Sequence, residues 1–149
     1  MTMNVWYRLA RCTATIRCSA CRSGEKARSG QFSIKLNASA PFGATTALDT
    51  FHPFDRLEID VWRFPADAEA GIVVSADDVE KAYFFEPANL VGRDSAGWGL
   101  LRMSVTLPEK AVGAKGKFYL WNPSQEQTVW FDDLKLRRLQ VEQVYRSIR

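Results

Sequence analysis

The sequence contains few of the residues on which catalytic and metal-binding sites most often depend. Among 149 residues there is a single histidine, His52, which lies in a turn just before a proline. With no nucleophile beside it, this histidine gives a catalytic triad little support. A Gly-rich phosphate loop and a helical metalloprotease motif are also missing. These absences argue against an enzyme.

The sequence has only three cysteines, Cys12, Cys18 and Cys21. The first two lie on one face of an alternating stretch. If that stretch is a strand, they are roughly 20 Å apart, beyond the reach of a disulfide. Cys18 and Cys21 form a CxxC pair, a weak metal signal in a chain with one histidine. We interpret the cysteines as small buried hydrophobic residues plus one spare thiol.

Long hydrophobic runs and a strong charge of one sign are absent as well. No run approaches the roughly 18 apolar residues of a membrane span. The first residues, MTMNVWYRLARC, lack the continuous apolar core of a secretory signal. The net charge of +3 is too small to indicate a nucleic-acid partner, although basic residues cluster at both ends. With 46% hydrophobic and 25% charged residues, the composition is that of one globular domain.

Alternation of apolar and polar residues dominates the sequence and predicts β-strands. Clear examples are RLEIDVWRF at 56–64, GLLRMSVTLP at 99–108 and GKFYLWNP at 116–123. Turn signals separate about nine such segments, and no crossover helices lie between them, so the sheets should be antiparallel. The sequence therefore predicts an all-β fold, a two-sheet sandwich or jelly roll.

Helical periodicity is confined to the end of the chain. One face of a short helix would carry Val141, Val144, Tyr145 and Ile148. We therefore expect an N-terminal tail at 1–11, a β-sandwich domain at 12–139 that begins with a strand at 12–20, and a helix or the start of a linker at 140–149.

Two adjacent aspartates, Asp132 and Asp133, interrupt the alternation of the last predicted strand. The apolar face changes there, which indicates either a β-bulge or a strand buried on both faces. If Leu134 and Leu136 point into the core, Asp132 should point inward too. A buried carboxylate must be paired, hydrogen-bonded or bound to a metal. Calcium is the metal that suits such an oxygen ligand.

Three segments in order resemble a known class of domain. FYLWNPSQEQTVWFDDLKL at 118–136 resembles the C-terminal hairpin of jelly-roll carbohydrate-binding modules and their galactose-binding-like relatives. ARSGQFSIKL at 27–36 resembles an early strand of these modules, and GWGLLRMSVTLP at 97–108 resembles their central Trp strand. The resemblance covers roughly residues 22–138. It implies a non-catalytic accessory module that binds a polysaccharide or oligosaccharide. It also implies an extracellular or cell-surface location and attachment to other domains.

The resemblance also implies a structural Ca²⁺. In many such modules the aspartate of the closing strand helps to hold calcium. The matching residue here is Asp132, and Glu25 is a looser match. The usual Asn/Gly-Phe-Glu opening of these modules is missing. The alternative is that backbone amides and nearby Arg or Lys side chains satisfy the aspartates.

The outward positions of the predicted strands supply a candidate ligand site. A sugar is bound by aromatic rings against its C–H face and by fixed polar groups at its hydroxyls. We expect stacking by Trp62, Tyr119 and Trp121. We expect hydrogen bonds from Glu58, Asp60 and Arg102. These six residues form one site only if their strands are neighbours in a sheet with a free face. A loop or the C-terminal helix could cover the tryptophans instead.

Two further interpretations remain open. The segment VGRDSAGW offers a second site at Arg93, Asp94 and Trp98, with Trp98 as a core residue beneath that loop as the alternative. Glu58 and Asp60 are about 6.5 Å apart along one strand, a separation that also occurs in glycosidases. Catalytic pairs usually come from different strands, however. The main alternative to glycan binding is a structural or interaction β-sandwich domain that packs against a neighbouring domain.

Overall fold

The computed structural model describes residues 2–9 and 22–141, and the secondary structure within these ranges is almost entirely β. The strands are β1 (Thr2–Leu9), β2 (Arg22–Ser23), β3 (Ser33–Leu36), β4 (Phe42–Leu48), β5 (Arg56–Phe64), β6 (Gly71–Ala76), β7 (Tyr83–Glu86), β8 (Leu90–Arg93), β9 (Gly99–Thr106), β10 (Gly116–Trp121) and β11 (Val129–Val141). One 3₁₀ turn covers Glu109–Ala111. No helix in these ranges is long and apolar enough to cross a membrane.

The strands form two antiparallel sheets. The large sheet has the order β2-β3-β11-β5-β9-β8, and β1 also pairs with β11. The small sheet has the order β4-β10-β6-β7. Strand β11 has thirteen residues; β3 pairs with 129–131 and β1 with 134–141. The predicted antiparallel β-sandwich is confirmed.

The core lies between the inner faces of the two sheets, at the apolar positions of the alternating segments. On β5, Leu57, Ile59 and Val61 are fully buried, while the residues between them are partly exposed. On β10 of the opposite sheet, Phe118 and Leu120 are fully buried. Strands with one buried face give this period-2 pattern, so the sequence predicted the inner faces correctly.

A β-bulge occurs at the two aspartates, as one of the two interpretations of the sequence predicted. The β11–β5 register shifts between Asp132 and Lys135, and Asp133 has a φ of 52°. The extra residue resets the alternation, so Phe131 and Leu134 are both buried. Asp132 is buried as expected, but it pairs with Trp62 and thus lies on the outer face of the large sheet. The prediction that it points into the core is wrong, because it ignored the parity change at the bulge.

The ends of the chain differ from the predicted domain boundaries. Residues 2–9, expected to be a tail, form β1 along β11. Strand β11 continues to Val141, beyond the predicted domain end at 139. The predicted strand at 12–20, the three cysteines and the remainder of the predicted C-terminal helix, 142–149, lie outside the described residues.

Two buried arginines point into the sandwich. Arg63, on β5, is 1% exposed and donates hydrogen bonds to the carbonyl oxygens of Ala66, Ala70 and Pro87. Burial lowers the pKa of its guanidinium to about 10, so the group stays charged at neutral pH.

The second buried arginine, Arg138 on β11, forms an ion pair with Asp55. The side chains are 6% and 0% exposed. Arg138 also donates to the carbonyl oxygen of Thr50, and Asp55 also accepts a hydrogen bond of 2.8 Å from the backbone N–H of His52. The pair thus ties the end of β11 to the turn that precedes β5.

Candidate functional site

Five aromatic side chains line the outer face of the small sheet. Trp121 on β10 pairs with Phe42 on β4, and Tyr119 pairs with Val73 on β6. Val73 pairs in turn with Phe85 on β7. Directly opposed residues of antiparallel strands place their side chains on the same face. Together with Tyr83 on β7, these rings form what we call the small-sheet aromatic face: Phe42, Tyr83, Phe85, Tyr119 and Trp121.

Four rings of the small-sheet aromatic face, on three strands, contact one another. The planes of Phe42 and Trp121 are nearly parallel, at 9°, with centroids 6.2 Å apart. Tyr119 meets Phe42 edge-on at 5.7 Å, and Phe85 lies 5.0 Å from Trp121 at 55°. Phe42 is 53% exposed and Tyr83 is 45% exposed. Large apolar groups exposed together in this way are typical of a binding surface.

The backbone and small side chains under the rings fix this face. Val73 and Ser75 occupy outward positions of β6, yet both are fully buried. Gly71, the β6 partner of Trp121, cannot carry a side chain, because a Cβ there would lie 2.2 Å from the carbonyl oxygen of Glu86. The rings therefore lie on a tightly packed base.

Polar groups are interleaved with the rings. Burial raises the pKa of Tyr119, and the neighbouring Tyr83 raises it further. The ammonium group of Lys117 lies 5.8 Å from the centroid of the Tyr119 ring. The face thus combines apolar ring surfaces with hydroxyl and ammonium hydrogen-bonding groups.

A network of ion pairs lies on the outer face of the large sheet. Arg102 on β9 donates two hydrogen bonds, of 2.8 and 2.9 Å, to the carboxylate of Asp60 on β5. The hydrogen bond with Asp60 raises the pKa of Arg102. Glu58 lies between Arg56, at 3.4 Å, and Arg137, at 3.5 Å. Both carboxylates face guanidinium groups, which is the arrangement of an ion-pair network rather than of a catalytic acid and base.

The segment between β2 and β3 covers the aromatic residues of the large sheet. The guanidinium of Arg28 lies 3.6 Å from the centroid of the Trp62 ring and pairs with Asp94 and Asp133, each at 3.2 Å. The ammonium of Lys26 lies 3.8 Å from the centroid of Phe64. Cations therefore occupy the ring faces on which a sugar would have to stack.

The six predicted ligand-binding residues do not converge. Trp62, Glu58, Asp60 and Arg102 lie on the large sheet, whereas Tyr119 and Trp121 lie on the small sheet. The outer faces of the two layers of a sandwich point in opposite directions. The prediction that these six residues form one site is therefore wrong, while the binding role of each residue stays a prediction.

The predicted metal ligands have other partners. Oδ2 of Asp132 accepts hydrogen bonds from the backbone N–H groups of Arg28 (2.7 Å) and Ser29 (3.0 Å), and Oδ1 accepts one from Asp133 (2.8 Å). Desolvation raises the pKa of Asp132 against the opposing effect of these bonds. Glu25 accepts two hydrogen bonds from the ammonium of Lys35.

These contacts do not fit a cation bound at Asp132. Donor N–H groups already face both of its oxygens, where a calcium ion would have to lie. Among the residues that the structure describes, no group of three or more His, Cys, Asp and Glu could hold a metal ion. The geometry favours the alternative of hydrogen-bonded aspartates, and the calcium site stays a prediction to be tested.

The second site considered from the sequence lies at the β8–β9 turn. Trp98 is 3% exposed, as its interpretation as a core residue predicts. Asp94 accepts hydrogen bonds from the backbone N–H groups of Ala96 and Trp98, which closes the turn. Arg93 pairs with the carboxylate of Asp67 at 2.7 Å. These polar groups hold the loop in place.

Three members of the small-sheet aromatic face were missed by reasoning from the sequence. Tyr83 and Phe85 lie in the short apolar run KAYFFEP, and Phe42 follows a proline in a predicted turn. For Tyr83 and Phe85, the available signal was that they lie two positions apart in a short strand whose other face is directed at the core. Nothing local indicates that β4 and β7 lie on the two sides of the β10–β6 pair.

Among the solved structures that match the chain, two carbohydrate-binding modules share its fold. The Family 16 Carbohydrate Binding Module-2 aligns with a TM-score of 0.54 and 16% identity, over 81% of this chain and 89% of that chain. The CBM22-1 xylan-binding domain from Paenibacillus barcinonensis Xyn10C aligns with a TM-score of 0.55 and 17% identity, over 91% and 86%. A Stig cyclase from Fischerella sp. TAU also aligns, but its TM-score of 0.48 is too low to support an argument.

No protein-family model and no curated protein sequence matches the chain. At identities of 16 and 17% the similarity establishes the fold alone. The chain therefore has the jelly-roll fold of carbohydrate-binding modules, in agreement with the resemblance found in the sequence.

Proposed function

We propose that the protein is a non-catalytic module that binds a glycan chain through the small-sheet aromatic face. The observation that carries the proposal is the set of five aromatic side chains on that face, four of which contact one another, with Phe42 53% exposed. The fold shared with two carbohydrate-binding modules supports it, and one of those modules is described as xylan-binding.

The chemistry of the face suits a sugar chain. A pyranose presents a C–H face that stacks on an aromatic ring and a rim of hydroxyls that needs hydrogen-bonding groups. Phe42 and Trp121 supply two nearly parallel rings. Tyr83, Tyr119 and Lys117 supply polar groups beside them. The large-sheet face offers less, since Arg28 covers Trp62.

The competing function is a structural domain whose aromatic face packs on a neighbouring domain. Aromatic residues are also enriched in protein–protein interfaces, so the rings alone do not separate the two functions. Affinity for a soluble glycan distinguishes the two functions, because a surface that packs against a protein domain is not expected to bind a glycan.

The test is calorimetric titration with a panel of soluble polysaccharides that includes xylan. We expect saturable binding that Trp121→Ala weakens about 30-fold, the loss of about 2 kcal/mol that marks a binding hot spot. The matched control is Trp62→Ala, which removes the same side chain from the opposite sheet and should leave the affinity unchanged.

Two results would contradict the proposal. A loss of affinity in Trp62→Ala but not in Trp121→Ala would move the site to the large sheet. An absence of binding across the whole panel by the folded wild-type protein would favour the interaction domain.

A further inference from the structure

One basic side chain, Lys117, lies among the rings of the small-sheet aromatic face. It occupies an outward position of β10, on the same side of the strand as Tyr119 and Trp121. Its ammonium group lies 5.8 Å from the centroid of the Tyr119 ring. A cation near the face of an aromatic ring is attracted to that ring, so Tyr119 helps to keep this charge on the face.

Lys117 has no acidic neighbour on the outer face of the small sheet. Its partners in the strand register are Ala47 on β4 and Ser75 on β6. The only acidic residue within β4, β6, β7 and β10, all of which the structure describes in full, is Glu86. Glu86 pairs with the buried Ile72, on the core side, and its carboxylate accepts hydrogen bonds from backbone N–H groups of the β7–β8 turn. The outer face of these strands therefore carries a cation and no carboxylate.

The nearest carboxylates in the strand register lie beyond the strand ends. Asp49 follows β4 and Asp77 follows β6, and the register, continued by one position, places both next to Lys115. The N–H of Asp77 also donates a hydrogen bond of 2.9 Å to the carbonyl oxygen of Lys115. Within residues 2–9 and 22–141, Lys117 forms no ion pair. Its charge is thus free to meet a ligand.

Arginines on the outer face of the large sheet are paired with carboxylates instead. Arg28, which covers Trp62, pairs with Asp94 and Asp133. Arg102 pairs with Asp60. An anionic ligand on that face would have to displace these carboxylates and would be repelled by them. The charge distribution therefore directs an anionic ligand to the small sheet.

We propose that the glycan bound by the small-sheet aromatic face is acidic, and that Lys117 binds its carboxylate or sulfate group. This inference rests on the glycan-binding function proposed above. Lys117 and Trp121 are about 13 Å apart along β10, a distance that a short oligosaccharide spans. One sugar of the chain stacks on Trp121 while the anionic group of another lies at Lys117. Tyr83, about 10 Å from Lys117 across β6, adds a phenol hydroxyl to the same row.

The test compares acidic polymers with their neutral counterparts by calorimetric titration. The first pair is a xylan that carries glucuronic acid and the same xylan after reduction of its carboxyl groups. The second pair is dextran sulfate and dextran. The wild type should bind one acidic polymer about 5-fold more tightly than its neutral counterpart, the upper end for an exposed ion pair. Added salt should reduce this preference, because it screens exposed charges. The pair that shows the preference identifies the anion as carboxylate or sulfate.

Three variants assign the preference to Lys117. Lys117→Gln keeps a hydrogen-bonding side chain but removes the charge, so the acidic polymer should lose its advantage. Lys117→Arg keeps the charge and should keep the preference. The matched control is Lys135→Gln, which removes the same charge from an exposed residue opposite Asp60 on the large sheet. It lowers the net charge equally and should leave the preference unchanged.

The outcomes separate this inference from the glycan-binding function. Equal affinity of the wild type for acidic and neutral polymers would overturn the inference and leave glycan binding intact. A preference that persists in Lys117→Gln, or that Lys135→Gln abolishes, would also overturn it. If the folded wild type binds none of these four polymers, the inference is wrong, and glycan binding itself fails only if the wider polysaccharide panel is silent too.

Discussion

The buried ion pair between Arg138 and Asp55 should be among the most sensitive points of the fold. Arg138→Met keeps the length and apolar stem of the side chain but removes the charge. The carboxylate of Asp55 then stays fully buried with only the N–H of His52 as a hydrogen-bond donor. An uncompensated charge in that position is costly because the interior cannot solvate it.

The expected size of the effect follows from this burial. Removing one partner of a buried pair costs about 3–5 kcal/mol. With a urea slope of about 2 kcal/mol per molar, the unfolding midpoint should fall by about 1.5–2.5 M. Asp55→Asn should cost less, because the amide still accepts the His52 hydrogen bond and Arg138 keeps its bond to the Thr50 carbonyl.

The control is an exposed pair of the same kind. Arg102 and Asp60 form a two-point ion pair, but their side chains are 44% and 26% exposed. Exposed pairs contribute about 0.2–1 kcal/mol, so Arg102→Met should lower the urea midpoint by about 0.5 M at most. Equal midpoint shifts for Arg138→Met and Arg102→Met would refute the argument that burial decides the cost.

Three other predictions concern the bulge, the base of the aromatic face and the metal. Asp132→Asn should lose about 1–3 kcal/mol, because its amide nitrogen must face a backbone N–H. Because the pKa of Asp132 is raised in the folded state, this residue contributes its full stabilisation only at pH values below its pKa in the unfolded chain, about 3.9. The stability advantage of the wild type should therefore shrink as the pH of the melting experiment rises through the folded pKa, and an advantage that grows would contradict the direction of the shift. Gly71→Ala should lower the melting temperature, because its Cβ would lie 2.2 Å from a backbone carbonyl oxygen, whereas Gly24→Ala, with its nearest contact at 3.6 Å, should not. A calcium chelator should leave the melting temperature unchanged if backbone amides satisfy Asp132, and a clear decrease would restore the calcium site.

The inner faces of the strands could be predicted from the sequence because they depend on local periodicity. Leu57, Ile59 and Val61 alternate with polar residues, and burial follows that pattern without knowledge of the partner strands. The assignment of strands to sheets could not be predicted in this way. Trp62 and Trp121 both point outward, yet they lie on opposite sheets because strand pairing depends on contacts distant in sequence.

The candidate site was only partly predictable for the same reason. The outward positions of Tyr119 and Trp121 were correct, but the sequence did not indicate that Phe42 and Phe85 would join them from neighbouring strands. Nor did it indicate that Arg28 would cover Trp62, since that contact brings together residues 34 positions apart in the chain. At the aspartates, a single bulge residue inverted the expected direction of Asp132.

Arg63 supports the base of the small-sheet aromatic face with a cation that a chelator cannot remove. Its guanidinium holds the carbonyl oxygens of Ala70 and Pro87 together, and these residues adjoin the strand ends that carry Gly71 and Phe85. A bound metal ion in the same role could be stripped by a chelator or exchanged, whereas a cation that belongs to the chain cannot. In the glycan-binding function proposed above, a base fixed in this way would keep the free-energy cost of ordering the rings low.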